Sequence, residues 1–392
     1  MLNFSDFLKE EAEGEGAKLK HIHHAEDRPL LHGSSGFDHA NGALRQAHDH
    51  IKSGGNSNDL TMKYDGSPSI VFGHHPENRK FFVASKSAFN KNPKLNYTPE
   101  DIDRNHGHAP GLTAKLKAAL EHLPKVAPKK GVYQGDLMHT PEDHVHNKDG
   151  SVSFTPNTIT YTAHGKDAEA VKKSKVGVVV HTKYEGKNLE SMTATPNVNE
   201  KDFKKHSDVH LHSANYDASK VKHSEQASHE FEKHMVAAKG IHLKHPEMYS
   251  GTERHQGDGG HMATYINQTV REDSKPNTDG FMKHVMDKFK KAADKVKTEK
   301  SKQQKIGEGE GQVAHIEHHR KDYDNMFKMH QHLQAAKNTL VNSLDTHTGG
   351  YGHHIEGKET KPEGYVVNYK GEPTKLVNRS EFAKANLLKV RK

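Results

Sequence analysis

The alternation of apolar and polar positions changes character along the chain, and each change predicts a different element. "DHANGALRQAHDHIKSGG" predicts a helix over about 38–52, ended by Gly54 and Gly55. From residue 60, "LTMKYDGSPSIVFG" reads as strand, with a polar Lys63, Tyr64, Asp65, Gly66 step set before the apolar run Ile70, Val71, Phe72. "SIVFG", the turn "HHPENRK" and "FFVAS" predict a hairpin, and "LTAKLKAALEHLP" predicts a helix stopped by Pro124. "GVYQGDLM", "NTITYTAH" and "KVGVVVHTKY" predict three further strands. Past residue 190 the β-branched runs give way to Lys, His, Ser and Asn. There Phe281, Val285, Phe289, Ala292 and Val296 share one helical face, and Ile316, Tyr323, Phe327, Leu333, Leu340 and Leu344 share another. "GEGEG" stands between them as the turn of a helical hairpin. Strand character returns at "EGYVVNYKG" and "TKLVN", and no internal repeat is visible.

Composition narrows the classes. The 392 residues suffice for one large domain or two ordinary ones, but only 31% are apolar and 28% are charged, which predicts much polar surface. The absence of cysteine excludes disulfides, thiolate metal sites and a cysteine nucleophile. Leu2, Phe4, Phe7 and Leu8 make a short helix-like face near the start. No stretch approaches the 18 or so apolar residues of a membrane span, so the chain is expected to be soluble and cytoplasmic. The net charge of +7 is uneven: residues 283–305 hold nine lysines against Asp287, Asp294 and Glu299, a footprint for a polyanion. The 36 histidines are scattered, and read as surface residues more readily than as a metal centre. In "HEFEKH", for instance, His229 and His234 are five apart and do not share a zincin face.

The polar step before the apolar run asks for a chemical reason. Lys63 and Asp65, two apart on a strand, project to one face, and Gly66 lets the backbone pass close to a ligand. A lysine so placed is a nucleophile if its pKa is brought down from about 10.4 by desolvation or nearby cations. Asp136, after Gly135, and Glu363, before Gly364, are carboxylates on two other predicted strands, of the kind Mg²⁺ takes alongside phosphate oxygens. Lys375 follows on the next strand, where it would balance phosphate charge. Together these describe phosphoryl or nucleotidyl transfer.

The ordered set "KYDG", "ASKS", "YQGDL", "ITY", "EGYVV" and "TKLV" resembles the covalent nucleotidyltransferase superfamily of ATP-dependent DNA and RNA ligases and capping guanylyltransferases. The resemblance spans about 60–180 and 360–380. It implies that Lys63 attacks the nucleotide α-phosphate and carries a lysyl-nucleotide. Met62, Asp65, Gly66 and Lys86 would be nucleotide-binding, Lys86 as the basic residue of the "SK" step. Asp136 stands where the superfamily has glutamate. Tyr161, with Phe154 as second choice, would stack on the base. Glu363 would be the metal carboxylate beside Asp136, and Lys375 the lysine on the α-phosphate. "YDGSPSIVFG", "FNKNPKLNYTPEDID" and "PNTITY" also look like an uncharacterised ligase-like group encoded by large tailed phages, which suggests a viral chain acting in an infected cell.

The resemblance implies an α+β fold: an ATP-grasp-like ligase domain of antiparallel sheets interrupted by a helical insertion. The division is then 1–59, an N-terminal helical and loop segment; 60–190, the first part of the nucleotidyltransferase domain; 191–350, the His/Lys-rich insertion; and 351–392, the last part. The chain after "TKLV" is too short for the OB-fold of DNA ligases, and Ser67 and Pro68 replace the arginine-bearing step that those enzymes have after the glycine. The Ser67–Pro68 step favours the RNA-ligase side. Val377 stands where a second lysine is usual, leaving Arg379 as a substitute phosphate contact. The expected activity is ATP-dependent joining of a 5′-phosphate to a 3′-hydroxyl end, RNA favoured over DNA, with Mg²⁺ or Mn²⁺. Alternatives are DNA ligation or AMP transfer to another acceptor, a nucleic-acid-binding or virion-associated protein that has lost the chemistry, and a His-rich metal-binding module. "HIHHAEDRPLLHG", with His23, Glu26 and Asp27, reads as a structural loop before it reads as a ligand site.

Overall fold

In the computed structural model, which describes residues 22–379, the apolar run of 70–72 is continuous because its strand is covered on both faces. The early N-terminal face with Leu2, Phe4, Phe7 and Leu8 lies outside the described residues. The chain divides into two units, one from Gly54–Val221 and Leu344–Gly371, the other from His23–Ser53, Lys222–Ser343 and the segment from Glu372 onward. The observed division therefore begins the helical insertion near 222 rather than 191, and the helix before Gly54 joins the helical unit.

The first unit carries β1 (Asn56–Lys63), β2 (Ser69–His74), β3 (Phe81–Ala84), β4 (Gly131–His139), β5 (Val145–His146), β6 (Val152–Phe154) and β7 (Thr160–Ala163). It continues with β8 (Val176–Glu185), β9 (Thr193–Thr195), β10 (Val209–Ser213), β11 (Asn215–Asp217), β12 (Tyr351–Ile355), β13 (Lys358–Glu359) and β14 (Gly364–Tyr369). One sheet is ordered β10-β8-β4-β2-β3, with β9 on β8; another runs β13-β12-β7-β6-β5; and β1 lies between β11 and β14. Pairing is antiparallel except for β8 with β10. The expected α+β class with antiparallel sheets is what the chain adopts.

On β2, Ile70 and Phe72 pack with Leu116, Leu123, Leu137 and Val178, under α2 (Pro99–His106) and α3 (Pro110–His122). Val71 faces the other way, into Phe82, Val132 and Tyr184. Thr98 and Asp101 form a capping box that starts α2, and Pro110 occupies the first turn of α3, where its missing N–H costs nothing. A further helix, α4 (Gly165–Lys173), which the sequence pattern did not predict, follows β7.

The second unit is helical: α1 (Arg28–Ser53), α5 (Glu225–Lys244), α6 (Glu247–Thr252), α7 (His261–Glu272), α8 (Thr278–Ala293), α9 (Glu299–His318) and α10 (Arg320–Leu344), with the strand β15 (Glu372–Leu376). α1 starts ten residues earlier than the pattern predicts and kinks at Gly33 (φ 60°, ψ −136°). The hairpin turn is also elsewhere. "GEGEG" lies inside α9, and the chain turns instead before Thr298, whose side chain caps α9 by accepting from Ser301 N. The reason is packing: a Cβ on Gly309 would lie 2.8 Å from Cβ of Phe289 on α8, so a residue without one lets the two helices close up.

The histidines are less superficial than their polarity suggests. Among the described residues, His48, His106, His122, His139, His210, His255, His284, His330 and His353 are buried. Four of the rings in the first unit form a file: His144 Nε2 to His139 Nδ1 at 2.9 Å, His139 Nε2 to His210 Nδ1 at 3.3 Å, and His210 Nε2 to His212 Nε2 at 2.8 Å. Both nitrogens of each inner ring are engaged with neighbouring rings, so the file does not converge on a metal; it is a run of imidazoles satisfying one another.

Candidate active site

Lys63 is the last residue of β1, and the antiparallel register that sets Met62 opposite Tyr365 and Lys63 opposite Gly364 brings Glu363 alongside it. Lys63 Nζ donates to a Glu363 carboxylate oxygen, with the lysine side chain 28% and the glutamate 11% exposed. Asp136 enters from β4, which pairs with β2 so that Asp136 lies opposite Ser69. His181, on the neighbouring β8, brings Nε2 to 3.9 Å from Asp136 Oδ1, and its Nδ1 is 2.8 Å from Thr182 Oγ1. The site thus assembles from β1, β4, β8 and the lead into β14.

The charges around Lys63 decide its resting state. Burial works against the ammonium, but Glu363 first, then Asp136 and Asp65, outweigh it and hold the pKa above the usual lysine range. Burial raises the Asp136 carboxyl against the pull of His181 and Lys63, and burial lowers His181 despite Asp136. Free of ligand, the lysine is stored as a cation.

The Asp65–Gly66 step is a clamp. The Asp65 carboxylate, 5% exposed, accepts from Asn157 Nδ2 at 2.8 Å, Thr158 N at 2.6 Å and Ile159 N at 2.8 Å. Its own N–H donates to the Tyr161 hydroxyl at 2.7 Å. Both carboxylate oxygens of Asp65 are therefore used to tie the end of β1 to the segment leading into β7. Gly66 is required by close approach to a neighbouring strand: a Cβ there would lie 2.5 Å from Cβ of Asp136. Ser67 N then donates to Leu137 O, and Leu137 N to Pro68 O, at 3.0 Å each, carrying the chain into β2 beside β4.

The other expected positions divide. Met62 is buried, its N–H donating to Ala214 O at 2.8 Å. Tyr161 and Phe154 pair across β6 and β7 and are buried, stacked at 5.9 Å between ring centroids, so neither presents an open face to a base. Lys86 opens the short turn Lys86–Phe89 after β3. Lys375 lies on β15 in the second unit, where its N–H donates to His23 O at 2.9 Å, and so it does not belong to the unit that holds Lys63. Arg379, the substitute phosphate contact expected from the sequence, is 5% exposed and bonded to Asp27. Asp27 also meets His330 Nε2 at 3.0 Å, Glu26 holds the fully buried Lys337 at 2.5 Å, and His23 Nε2 is 3.3 Å from Asp258. The segment from His23 to Asp27 is thus tied by ion pairs within the helical unit. His181 and Tyr351 were not singled out in the sequence, and Tyr64 only as part of the polar step after Lys63. Only Tyr64 carried a signal, its place inside "KYDG".

Among the described residues no group of three or more histidine, aspartate or glutamate side chains is arranged to hold a metal ion. Asp136 and Glu363, partly open to solvent at 21% and 11%, are oxygen donors of the type a hard divalent cation takes.

A family model described as a family of unknown function, DUF6267, matches residues 19–391. The chain belongs to the DUF6267 family. No curated protein and no solved structure matches it. Among the described residues of this DUF6267 protein no helix is long and apolar enough to cross a membrane.

Proposed function

We propose that this DUF6267 protein is an ATP-dependent polynucleotide ligase working through a lysyl-AMP intermediate on Lys63, with a nucleotidyltransferase-type first unit and RNA as the favoured substrate. The observation that carries the reading is the gathering of Lys63 from β1, Asp136 from β4 and Glu363 from the lead into β14 into one partly exposed site.

In the first step the Lys63 Nζ lone pair attacks the α-phosphorus of ATP, a P–N bond forms, the α–β bridging P–O bond breaks, and pyrophosphate leaves. Nζ must first lose a proton, which passes to solvent water once its hydrogen bond to Glu363 is broken. Because the acidic surroundings hold the lysine charged, arrival of the nucleotide has to loosen the Lys63–Glu363 pair. A divalent ion on Asp136 and Glu363 would supply positive charge that lowers the lysine pKa and screens the phosphates. A 5′-phosphate oxygen then attacks the same phosphorus, returning the electron pair to Nζ, and a 3′-hydroxyl finally displaces AMP. His181, beside Asp136, is positioned to steady that carboxylate. Seven of the nine lysines between 283 and 305 are exposed on α8, α9 and their connection, and they supply a footprint for the phosphate backbone.

The test is incubation with α-labelled ATP and Mg²⁺ or Mn²⁺ followed by denaturation. Label is expected on the wild type and absent from Lys63→Ala. No label with ATP, GTP or NAD under either metal removes the proposal.

A further inference from the structure

A cleft of about 780 Å³ opens in the first unit, within the size range of small-ligand sites, and Lys63, Asp136 and Glu363 do not line it. Its walls include Tyr64, Tyr351, Asp167, Glu200, Lys201 and Lys205. We propose that this cleft binds the terminal ribonucleoside of single-stranded RNA, with the base on the tyrosine rings, the ribose hydroxyls on the carboxylates and the adjoining phosphate on the lysines. The inference rests on the ligase reading for its purpose, which is to hold the end that is to be joined.

Three observations carry it. The two rings are braced: Tyr64 and Tyr351 each lie 6.0 Å from the buried Tyr161, centroid to centroid, so their positions are set by the core rather than by solvent. Aromatic faces of this kind stack bases of any identity. The charges balance, with two carboxylates against two lysines, which suits a nucleoside with one phosphate at its edge better than a triphosphate. Glu200 is oriented, one of its oxygens accepting from Ser213 N at 3.1 Å, and a fixed carboxylate is a partner for ribose hydroxyls that DNA lacks in part. Burial first, and then the Glu200 charge, push the Tyr64 phenol up to about 12, so it stays a neutral donor beside that carboxylate. Tyr64 follows Lys63 directly in the chain.

The experiment is fluorescence anisotropy of the full chain with a short 5′-labelled single-stranded RNA bearing a free 3′-hydroxyl, and with DNA of the same sequence. RNA is expected to bind more tightly than DNA, and ATP is expected not to displace it. Tyr351→Leu should weaken RNA binding about tenfold or more, the scale of one lost base stack. Because Tyr351 packs against the core, a second variant, Lys201→Glu with Lys205→Glu, changes only exposed positions and should weaken binding several-fold. Binding equal to wild type in both variants, displacement by ATP, or equal affinity for DNA would overturn the proposal. Failure of the ligase reading appears elsewhere, as missing label on Lys63, and leaves these binding results intact.

Discussion

Lys63 keeps its charge in surroundings that desolvate it, because three carboxylates face it and Glu363 is hydrogen-bonded to it. Glu363→Gln leaves the burial and removes the largest opposing charge, so the titration midpoint of Lys63 should move to lower pH. Side-chain NMR of labelled lysine reads this directly, and an unmoved midpoint would show that Glu363 does not control the lysine. The sign for stability follows from the raised value. The pairing contributes fully below the ordinary lysine pKa near 10.4 and is lost as pH rises through the folded-state value. Gly66 gives a prediction of another kind. Gly66→Ala puts a methyl against Asp136 and should cost about 1–3 kcal/mol in urea unfolding, the usual range for overpacking. At this scale the sequence named Lys63, Asp136 and Glu363, which the fold brings near one another, because each is carried by a short local motif. It gave no sign that Asp65, Tyr161 and Arg379 are engaged by internal hydrogen bonds and burial, because these depend on partners far along the chain.

Strands were the most legible elements. The β2–β3 hairpin, β4, β7, β8 and β14 each stand where runs of Val, Ile, Phe and Tyr predicted them, because a strand buried on one or both faces writes its burial into a few adjacent residues. The helices misled where glycine was read only as a breaker. Each glycine inside a helix costs about 1 kcal/mol relative to alanine, and three within five residues predicted a turn. In α9 only Gly309 is needed for contact with α8; Gly307 and Gly311 have open space where a Cβ would go. Gly307→Ala and Gly311→Ala should therefore each stabilise the protein by about 0.5–1 kcal/mol, while Gly309→Ala should destabilise it. Thermal midpoints of the three variants decide this, and a uniform rise would mean that α8 and α9 do not pack through Gly309.

For the whole molecule, the histidines set a shared acid sensitivity. Burial lowers His139 well below its usual value, His210 to about 3, and His255, His284 and His353 to about 4, so both units fold around neutral imidazoles. Between pH 6.5 and 4 the unfolded chain binds more protons than the folded one, so stability rises with pH across that window and is fully present above it. The thermal midpoint should fall by on the order of 10 °C or more from pH 7 to pH 4.5, and a flat profile would contradict the burial of these rings. Composition alone suggested surface histidine, because polarity predicts exposure only when a side chain has no internal partner. The division of the chain was equally hidden: the segment with Glu26 and Asp27 and the one with Arg379 join the helical unit through ion pairs that no local pattern announces. The central claim is covalent chemistry on one lysine, and intact-protein mass spectrometry after incubation with ATP and Mg²⁺ or Mn²⁺ tests it most directly. A gain of one AMP, mapped by peptide digestion to Lys63 and absent in Lys63→Ala, is the predicted result. An unchanged mass with either metal, or an adduct on any other residue, would contradict it.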